Sequence, residues 1–342
     1  MNTYILQNEN ALFYECNFSC DNAIFVRFNK KDAFFITDSR YTTEAKEFVK
    51  NAEVVNGEKN LTQKLIELIK KFNPKNITFD PKEWSVEKFE CLKKELRVNF
   101  ISSPNFSQIK REIKRKDEID ILKKAANEGR LAFDRFCEFV KKDGIGLSEE
   151  ELFFHAELIF KDRGKLRLSF SPIVAINENS AKPHATPTKK SLKNGDLLLV
   201  DAGITYSRYC SDRTRVCEVN SNMSFSKEQY FSCKKRQKIY DTVLLANKEA
   251  IKIVKPGIKA SEVDKVAREV IKEAGYGEFF IHSTGHGVGL DIHELPIVSQ
   301  NSEAILKEGM IFTIEPGIYL PNEFGVRVED MVLVTKDSVE VL

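Results

Sequence analysis

The amino-acid sequence predicts a mixed α/β protein of two domains, at residues 1–108 and 109–342, with two related halves in the second. A length of 342 residues is enough for two domains. Short strand-like apolar runs alternate with runs that have the period of an amphipathic helix. Two acid pairs, Asp201 with Asp212 and Glu315 with Glu329, each join two strand-like runs. This repetition predicts two α/β halves that face one another across a central site.

The first domain is predicted to begin with a β-hairpin. The runs AIFVRF (residues 23–28) and DAFFITD (residues 32–38) have strand character, and the residues NKK between them form the turn. Residues 61–72 carry apolar side chains on one helical face, and residues 76–80 and 98–103 are further strand candidates. This part of the sequence contains no cluster of metal-ligand residues, which indicates an accessory domain.

The second domain is predicted to start with two helices. A long helical pattern covers residues 117–142, with apolar residues at alternating steps of three and four. Ser148 and Glu151 form a capping box for the next helix. The remaining sequence is rich in strands and loops, which two further helical patterns interrupt near residues 226–254 and 261–274. This order of elements agrees with a mixed α/β domain.

Composition and charge exclude several classes of protein. The chain has 53 basic and 51 acidic residues and a net charge of +2, so it offers no electrostatic surface for nucleic acid. No apolar stretch is long enough to cross a bilayer, and the first residues lack the features of a secretory signal. Seven scattered cysteines predict neither a disulfide framework nor a zinc site. We therefore expect a cytoplasmic protein that binds neither nucleic acid nor membrane.

Four carboxylates of the second domain stand in or beside apolar runs, and a histidine of the same region lies between glycines. These potential metal ligands are Asp201, Asp212, His286, Glu315 and Glu329. An unpaired carboxylate in an apolar strand is costly, and four acids carry too much charge for one cation. Two bridged divalent ions would balance it and activate water. Oxygen-rich ligation favours Mn(II), with Co(II) and Zn(II) as alternatives. The ligand set predicts a dinuclear metallohydrolase that cleaves an amide, ester or phosphoester.

The segments around the acidic residues indicate how they come together. DLLLVDAGITYSRYCSDRTRV is predicted to form a β-hairpin that brings Asp201 and Asp212 close to each other. The two-residue period of a strand places Thr214 on the face of Asp212, and Arg327 on the face of Glu329, where each can hydrogen-bond a ligand carboxylate. Each acid taken alone could instead cap a turn or form an ion pair at a strand end.

Three of the five histidines lie within the thirteen residues of HSTGHGVGLDIHE, among glycines. Small neighbours allow a metal to approach His286 closely, and His282 and His293 flank it. A group of three histidines is a stronger indication of function than one alone. His184 lies in a loop bounded by prolines, and the sequence leaves open whether it is a functional residue or a solvent-exposed one without function.

At these residues the chain resembles the pita-bread metallopeptidases, the family of methionine aminopeptidase, aminopeptidase P, prolidase and the related creatinase. Five segments carry the resemblance between residues 112 and 342: FSPIVAINENSAKPHATP, VDAGITYSRYCSDRTRV, STGHGVGLDIHELP, FTIEPGIYLP and GVRVEDMVLV. ITDSRYTTEAKEF, at residues 36–48, resembles part of the creatinase-type N-terminal domain. The resemblance implies a pita-bread catalytic domain with pseudo-twofold symmetry, preceded by a smaller creatinase-type α/β domain. Arg213 departs from the family, which usually has an apolar residue there.

The resemblance also implies a set of metal ligands. Asp201 would bind one ion, Asp212 and Glu329 would bridge both ions, and His286 and Glu315 would complete the shell of the other. The two ions would share a hydroxide nucleophile.

Further roles follow from the same resemblance. Glu315 would be the general acid and base. His184 and His293 would contact the substrate and stabilise the reacting centre, and His282 would line the pocket beside the prolyl residue. Arg327 would hydrogen-bond the ligand side chains without binding the metal itself.

The implied reaction is cleavage of the N-terminal Xaa-Pro bond in peptides that have proline at the second position. The first interpretation is an Xaa-Pro aminopeptidase, which trims longer peptides, and the alternative is an Xaa-Pro dipeptidase, or prolidase. A non-catalytic peptide-binding module is disfavoured because all five ligands are present. The N-terminal domain argues against a methionine aminopeptidase, and the full ligand set argues against a creatinase-like hydrolase. Dimers are common in the family, and the resemblance leaves a homodimer open.

Overall fold

The computed structural model describes residues 3–342, which form two compact units. The first unit contains the described residues up to Arg111, and the second is Glu112–Leu342. The predicted boundary between residues 108 and 109 falls within the helix Phe106–Arg111, and the limits of the domains stay a prediction. Every site residue selected from the sequence belongs to Glu112–Leu342, so this unit holds the candidate site.

The first unit alternates strands with helices. Its strands are β1 (Thr3–Leu6), β2 (Ala23–Arg27), β3 (Ala33–Thr37), β4 (Glu53–Asn56), β5 (Asn76–Phe79) and β6 (Asn99–Ser102). Its helices are α1 (Glu9–Cys16), α2 (Thr42–Phe48), α3 (Leu61–Phe72), α4 (Val86–Glu95) and α5 (Phe106–Arg111). The predicted hairpin is the antiparallel pair of β2 and β3, and the predicted helix at residues 61–72 is α3, so both are confirmed.

One six-stranded sheet organises this unit, in the order β4-β3-β2-β1-β5-β6. β1 with β2 and β2 with β3 are antiparallel, and the other neighbours are parallel. Both faces of the sheet are covered, because alternate side chains of a strand point to opposite faces. Ile24 and Val26 pack with α3, whereas Phe25 packs in a second core with α1.

The second unit contains four long helices and many short strands. Its strands are β7 (Arg167–Leu168), β8 (Ile173–Ile176), β9 (Leu197–Asp201), β10 (Ile204–Tyr206), β11 (Tyr209–Cys210), β12 (Thr214–Glu218), β13 (Gly285–Gly287), β14 (Glu294–Val298), β15 (Ile311–Ile314), β16 (Gly317–Leu320), β17 (Phe324–Arg327), β18 (Asp330–Val334) and β19 (Val339–Val341). Its helices are α6 (Lys116–Phe139), α7 (Glu149–Phe160), α8 (Lys234–Lys252) and α9 (Ala260–Glu273). Shorter helical turns occur at Val140–Gly144, Asp162–Gly164, Asn177–Ala181 and Gly277–Phe279. None of the helices among residues 3–342 combines the length and apolar composition needed to cross a membrane.

Two sheets of the second unit position the candidate site. The first has the strand order β12-β9-β8 and the second β14-β13-β15-β18-β19, and the neighbours in both are antiparallel. β9 is apolar at four successive positions because it is buried on both faces. Leu198 and Val200 pack in the core that contains α6 and α7, whereas Leu197 and Leu199 pack in the core that contains α8 and α9. This strand therefore contributes side chains to both apolar cores of the unit.

The start of α8 differs from the sequence-based expectation. The helix begins at Lys234 and not near residue 226. Gln229 Nε2 donates to the carbonyl oxygens of Ser224, at 2.8 Å, and Ser226, at 2.9 Å. Such side-chain bonds to the backbone compete with helical hydrogen bonds, and they hold this segment as a loop.

A buried carboxylate at the start of α7 holds the loop that carries His184. Glu149 has no exposed surface. Its oxygens accept hydrogen bonds from the Ile176 backbone N–H (2.6 Å), from Asn179 Nδ2 (2.8 Å), and from Thr188 N–H (2.8 Å) and Oγ1 (2.6 Å). The side chain of Glu149 therefore holds the backbone on both sides of His184.

Glu149→Ala is expected to lower the free energy of unfolding by roughly 3 kcal/mol, because several buried donors lose their acceptor. The control is Glu150→Ala at the exposed neighbouring position, which is expected to change it by less than about 0.5 kcal/mol. Urea denaturation of both variants measures the difference. Equal stabilities of the two variants would contradict the assigned role of Glu149.

Candidate metal centre

The five predicted ligand residues lie where strands end or join. Asp201 is the last residue of β9, and Asp212 lies in the connection between β11 and β12. Glu315 follows β15, Glu329 lies between β17 and β18, and His286 is the central residue of β13. All five line one cavity of about 780 Å³. The structure therefore brings the selected side chains together, while their roles as ligands stay a prediction.

A hairpin explains how the two aspartates meet. β10 and β11 are joined by Ser207 and Arg208, whose φ angles of 46° and 74° are those of a tight hairpin turn. β9 and β12 pair beyond this turn, with Thr214 directly opposite Asp201. Asp212 lies just before β12, so both carboxylates reach the same cavity.

Three of the groups form the tightest part of the cluster. One ligand atom from each of Asp212, His286 and Glu329 lies within 4.8 Å of the other two, and all three residues are buried. His286 Nε2 is 3.6 Å from Asp212 Oδ2 and 3.4 Å from Glu315 Oε1. His286 Nδ1 lies 3.1 Å from the carbonyl oxygen of Gly287. A proton on Nδ1 therefore leaves the lone pair of Nε2 directed at the carboxylates.

Burial makes the carboxylates hard to ionise without a counter-charge. Burial, and then repulsion by Glu329, raises the pKa of Asp212 well above its usual value. Burial, and then repulsion by Glu315, has the same effect on the pKa of Glu329. Burial also raises the pKa of Glu315 to about 8. These carboxylates need cations nearby if they are to be ionised together at neutral pH.

The remaining donors also fit bound cations. Burial, together with the neighbouring His293, lowers the pKa of His286 to about 4, which keeps the imidazole neutral, as a metal ligand must be. Asp201 Oδ1 is buried and has no hydrogen-bond partner within residues 3–342. Four carboxylates and one neutral imidazole are a donor set suited to divalent cations.

Thr214 and Arg327 connect two of these carboxylates. Thr214 Oγ1 donates to Glu329 Oε2 at 2.6 Å and accepts from Arg327 Nε at 2.9 Å. Arg327 Nη2 donates to Asp201 Oδ2 at 2.7 Å. The single strand predicted through Arg327 and Glu329 is interrupted, because β17 pairs with β16 while β18 pairs with β15. The arginine therefore holds Asp201 directly and reaches Glu329 through the threonine.

The other three selected histidines line the same cavity. His282 Nδ1 lies 2.7 Å from the next residue's carbonyl oxygen, and Nε2 lies 2.8 Å from the Tyr319 hydroxyl. Burial lowers the pKa of His282 to about 4. The ring centre of His293 is 4.3 Å from that of His286. His184 is exposed at the cavity wall. These positions are compatible with substrate contacts, which stay a prediction.

Two residues that contact the site were missed from the sequence. Thr313 Oγ1 lies 3.3 Å from Glu315 Oε1 and accepts from the His286 backbone N–H at 3.1 Å. The Tyr319 hydroxyl accepts from Arg327 Nη1 at 2.7 Å. Thr313 precedes Glu315 by two residues and Tyr319 follows it by four. The two-residue period of a strand could have selected Thr313, whereas Tyr319 lies in β16, beyond the end of β15, where the period no longer applies.

Comparison with known proteins extends the resemblance to both units. The profile described as Metallopeptidase family M24 matches residues 120–336, and the profile described as Creatinase/Prolidase N-terminal domain matches residues 1–115. An Xaa-Pro dipeptidase of Pyrococcus furiosus is 38% identical over 296 residues, which are 86% of this chain and 75% of that protein.

Solved structures give the same result. An Xaa-Pro dipeptidase from Bacillus anthracis matches with a TM-score of 0.90 and 34% identity, over 99% of this chain and 92% of that chain. An X-Pro aminopeptidase from Thermotoga maritima matches with a TM-score of 0.87 and 30% identity, over 100% of this chain and 95% of that chain.

Proposed function

This chain belongs to metallopeptidase family M24, and from that premise we propose that it is a metal-dependent Xaa-Pro dipeptidase, or prolidase. The α/β fold class, with a pita-bread domain after a creatinase-type N-terminal domain, is confirmed. The similar proteins from Pyrococcus furiosus and Bacillus anthracis are both named Xaa-Pro dipeptidase, which supports the choice. It reverses the order of the sequence-based interpretation, in which the aminopeptidase comes first.

The convergence of five ligand groups in one cavity carries the proposal. Asp201, Asp212, His286, Glu315 and Glu329 come from separate strands and meet although most of them are acidic and buried. Such a cluster is unfavourable unless cations neutralise it. A metallopeptidase needs such a cluster to bind its cations, whereas a module that only binds peptides does not need one.

The residues of the site suggest how the reaction would proceed. Bound divalent cations would activate water and polarise the carbonyl of the scissile bond. Glu315, beside Thr313 Oγ1, would take a proton from the attacking water and pass it to the leaving nitrogen. That nitrogen belongs to proline and carries no hydrogen in the peptide, so it needs this proton to leave as an amine. His184 and His293 would stabilise the carbonyl oxygen as it becomes negative, and His282 would line the side of the prolyl ring.

A second candidate, an Xaa-Pro aminopeptidase, is favoured by the charges of the cavity wall. A dipeptide places its C-terminal carboxylate directly after the proline, where a buried charge needs a partner. Among residues 3–342, Arg327 is the only arginine or lysine that lines this cavity. Its guanidinium already donates to Asp201, Thr214 and Tyr319. A longer peptide has a neutral amide in place of that carboxylate.

Hydrolysis of Ala-Pro, Ala-Pro-Ala and Ala-Ala-Ala with Mn(II) tests these proposals. For a dipeptidase we expect kcat/KM for Ala-Pro to exceed that for Ala-Pro-Ala by at least about tenfold. The reason is that such an enzyme distinguishes the free carboxylate after the proline of Ala-Pro from the amide at the same place in Ala-Pro-Ala. Both proline peptides should be cleaved far faster than Ala-Ala-Ala. The opposite order of the two proline peptides would favour the aminopeptidase. Equal hydrolysis of Ala-Pro-Ala and Ala-Ala-Ala would contradict both.

Three finer assignments belong to the same proposal. Mn(II) is the first choice of metal, with Co(II) and Zn(II) as alternatives. The protein would act in the cytoplasm, where thiols stay reduced, and all seven of its cysteines are free. A homodimer stays a prediction, to be tested by light scattering.

A further inference from the structure

An ion pair on α9, outside the metal centre, contacts the segment of chain that leads into it. Asp264 is fully buried, and Arg268 follows one helical turn later. Arg268 Nε donates to Asp264 Oδ2 at 2.7 Å, and Nη2 is 3.2 Å from Oδ1. The other hydrogen bonds of both side chains go to residues 280–284.

The two side chains bind both ends of this segment. Asp264 Oδ1 accepts from the Thr284 backbone N–H at 3.2 Å and from its hydroxyl at 2.8 Å. Arg268 Nη1 donates to the carbonyl oxygen of Phe280 at 3.0 Å, and Nη2 donates to that of His282. The guanidinium also lies 4.2 Å from the centre of the Phe280 ring. Both acceptor and donor groups of the segment are therefore held by α9.

On its other side, the same segment contacts the catalytic cavity. The Thr284 carbonyl oxygen accepts from the Glu315 backbone N–H at 2.7 Å. Both nitrogens of the His282 ring have partners, and one of these is the hydroxyl of Tyr319. As long as the backbone of the segment stays in place, these two contacts fix the orientation of the His282 ring. Any shift of that backbone moves His282 relative to the cavity.

The packing of α9 does not depend on this pair. Val263, Ala267 and Ile271 are buried in the core of the unit and anchor the helix through apolar contacts. Replacement of a buried ion pair as a whole by apolar residues of similar volume is often neutral for stability. The pair is therefore better explained by what it holds, the segment 280–284, than by the helix that carries it.

We propose that Asp264 and Arg268 are positioning residues, which hold the backbone at His282 and Thr284 so that the His282 ring faces the prolyl side of the substrate. This inference rests on the proposed Xaa-Pro peptidase function, because it assigns His282 to the substrate. It adds two residues that touch neither metal nor substrate to those that determine selectivity for proline.

A double-mutant cycle tests the proposal. Arg268→Met, His282→Ala and the double variant are assayed on Ala-Pro and on Ala-Ala, with bound Mn(II) per chain measured in each. Arg268→Met is expected to lower kcat/KM for Ala-Pro by about tenfold or more, because a misplacement of about 1 Å caused by a distant mutation can cost about 100-fold in rate. It is also expected to reduce the preference for Ala-Pro over Ala-Ala. Adding it to His282→Ala is expected to cost less than about twofold further, because the two changes remove one interaction. Bound Mn(II) should stay unchanged.

Two further variants complete the experiment. Arg268→Lys retains the charge and can reach one carbonyl oxygen, so it is expected to recover part of the activity. It also replaces Arg268→Met in the cycle if that variant does not fold. Lys265→Met removes an exposed cation from the same helix and is expected to leave kcat/KM within about twofold of wild type.

Independent effects that multiply in the double variant would overturn the proposal, as would an unchanged preference for proline in Arg268→Met. Failure of the wild-type protein to prefer Ala-Pro would instead refute the proposed function. In that case the cycle on the peptide that is cleaved would still show whether Arg268 acts through His282.

Discussion

Removal of divalent cations is expected to abolish peptidase activity, and Mn(II) or Co(II) is expected to restore it. Without cations, burial and mutual repulsion raise the pKa values of Asp212 and Glu329 well above their usual range. The cluster then lacks both its ionised donors and the cations that activate water. The measurement is the hydrolysis rate of Ala-Pro after dialysis against a chelator, and again after addition of each metal.

Thermal unfolding gives a second readout that does not depend on turnover. A ligand that binds only the folded state, at 100 times its Kd, stabilises that state by about 2.7 kcal/mol. The metal-free protein should therefore unfold at a lower temperature, and Mn(II) should raise it. Mg(II) serves as the control, because it keeps its waters and demands octahedral oxygen ligands. Full activity of a preparation shown by elemental analysis to be metal-free would refute the metal-dependent mechanism.

Asp212→Ala is expected to lower the metal content strongly. Asp212 lies in the tightest group of donors, with His286 and Glu329, and its proposed role is to bridge two ions. Loss of residues that merely support a ligand already costs about 10–100-fold. We therefore expect turnover to fall by more than about 100-fold, with fewer than two ions bound per chain. Elemental analysis and the rate on Ala-Pro measure both effects.

The matched control for this variant is His293→Ala. His293 stands next to His286, with 4.3 Å between ring centres, but is assigned to the substrate. Its removal is expected to lower turnover while the metal content stays at the wild-type value. Both variants should remain folded, because a chain of this length buries a sizeable core without help from metal. Two tightly bound ions and near-normal turnover in Asp212→Ala would show that the bridging role is wrong.

Most residues of the candidate site could be selected from the sequence, because the patterns that indicate them are local. A carboxylate at the end of an apolar run, such as Asp201 after LLLV, is conspicuous without any knowledge of the fold. The hairpin that follows needs only a short loop between two strand-like runs, and the structure contains it. A local pattern can also mislead, and the predicted start of α8 near residue 226 is wrong, since the helix begins at Lys234. The helical pattern continues through residues 226–233, but Gln229 bonds to the backbone there instead.

The chain's own pattern therefore determined which residues are the candidates for metal and substrate binding: four acids and a histidine, with three further histidines that line the same cavity. It did not determine which of the supporting side chains holds which ligand. Arg327 bonds to Asp201 across 126 positions of sequence, and Thr214 bonds to Glu329 across 115. Periodicity assigns a side chain to a face of its own strand, whereas such partners depend on which strands pair, and this is decided by the packing of the whole unit. The same holds for the Asp264–Arg268 pair, since a helix pattern gives no sign of the distant backbone that its buried charges will bind.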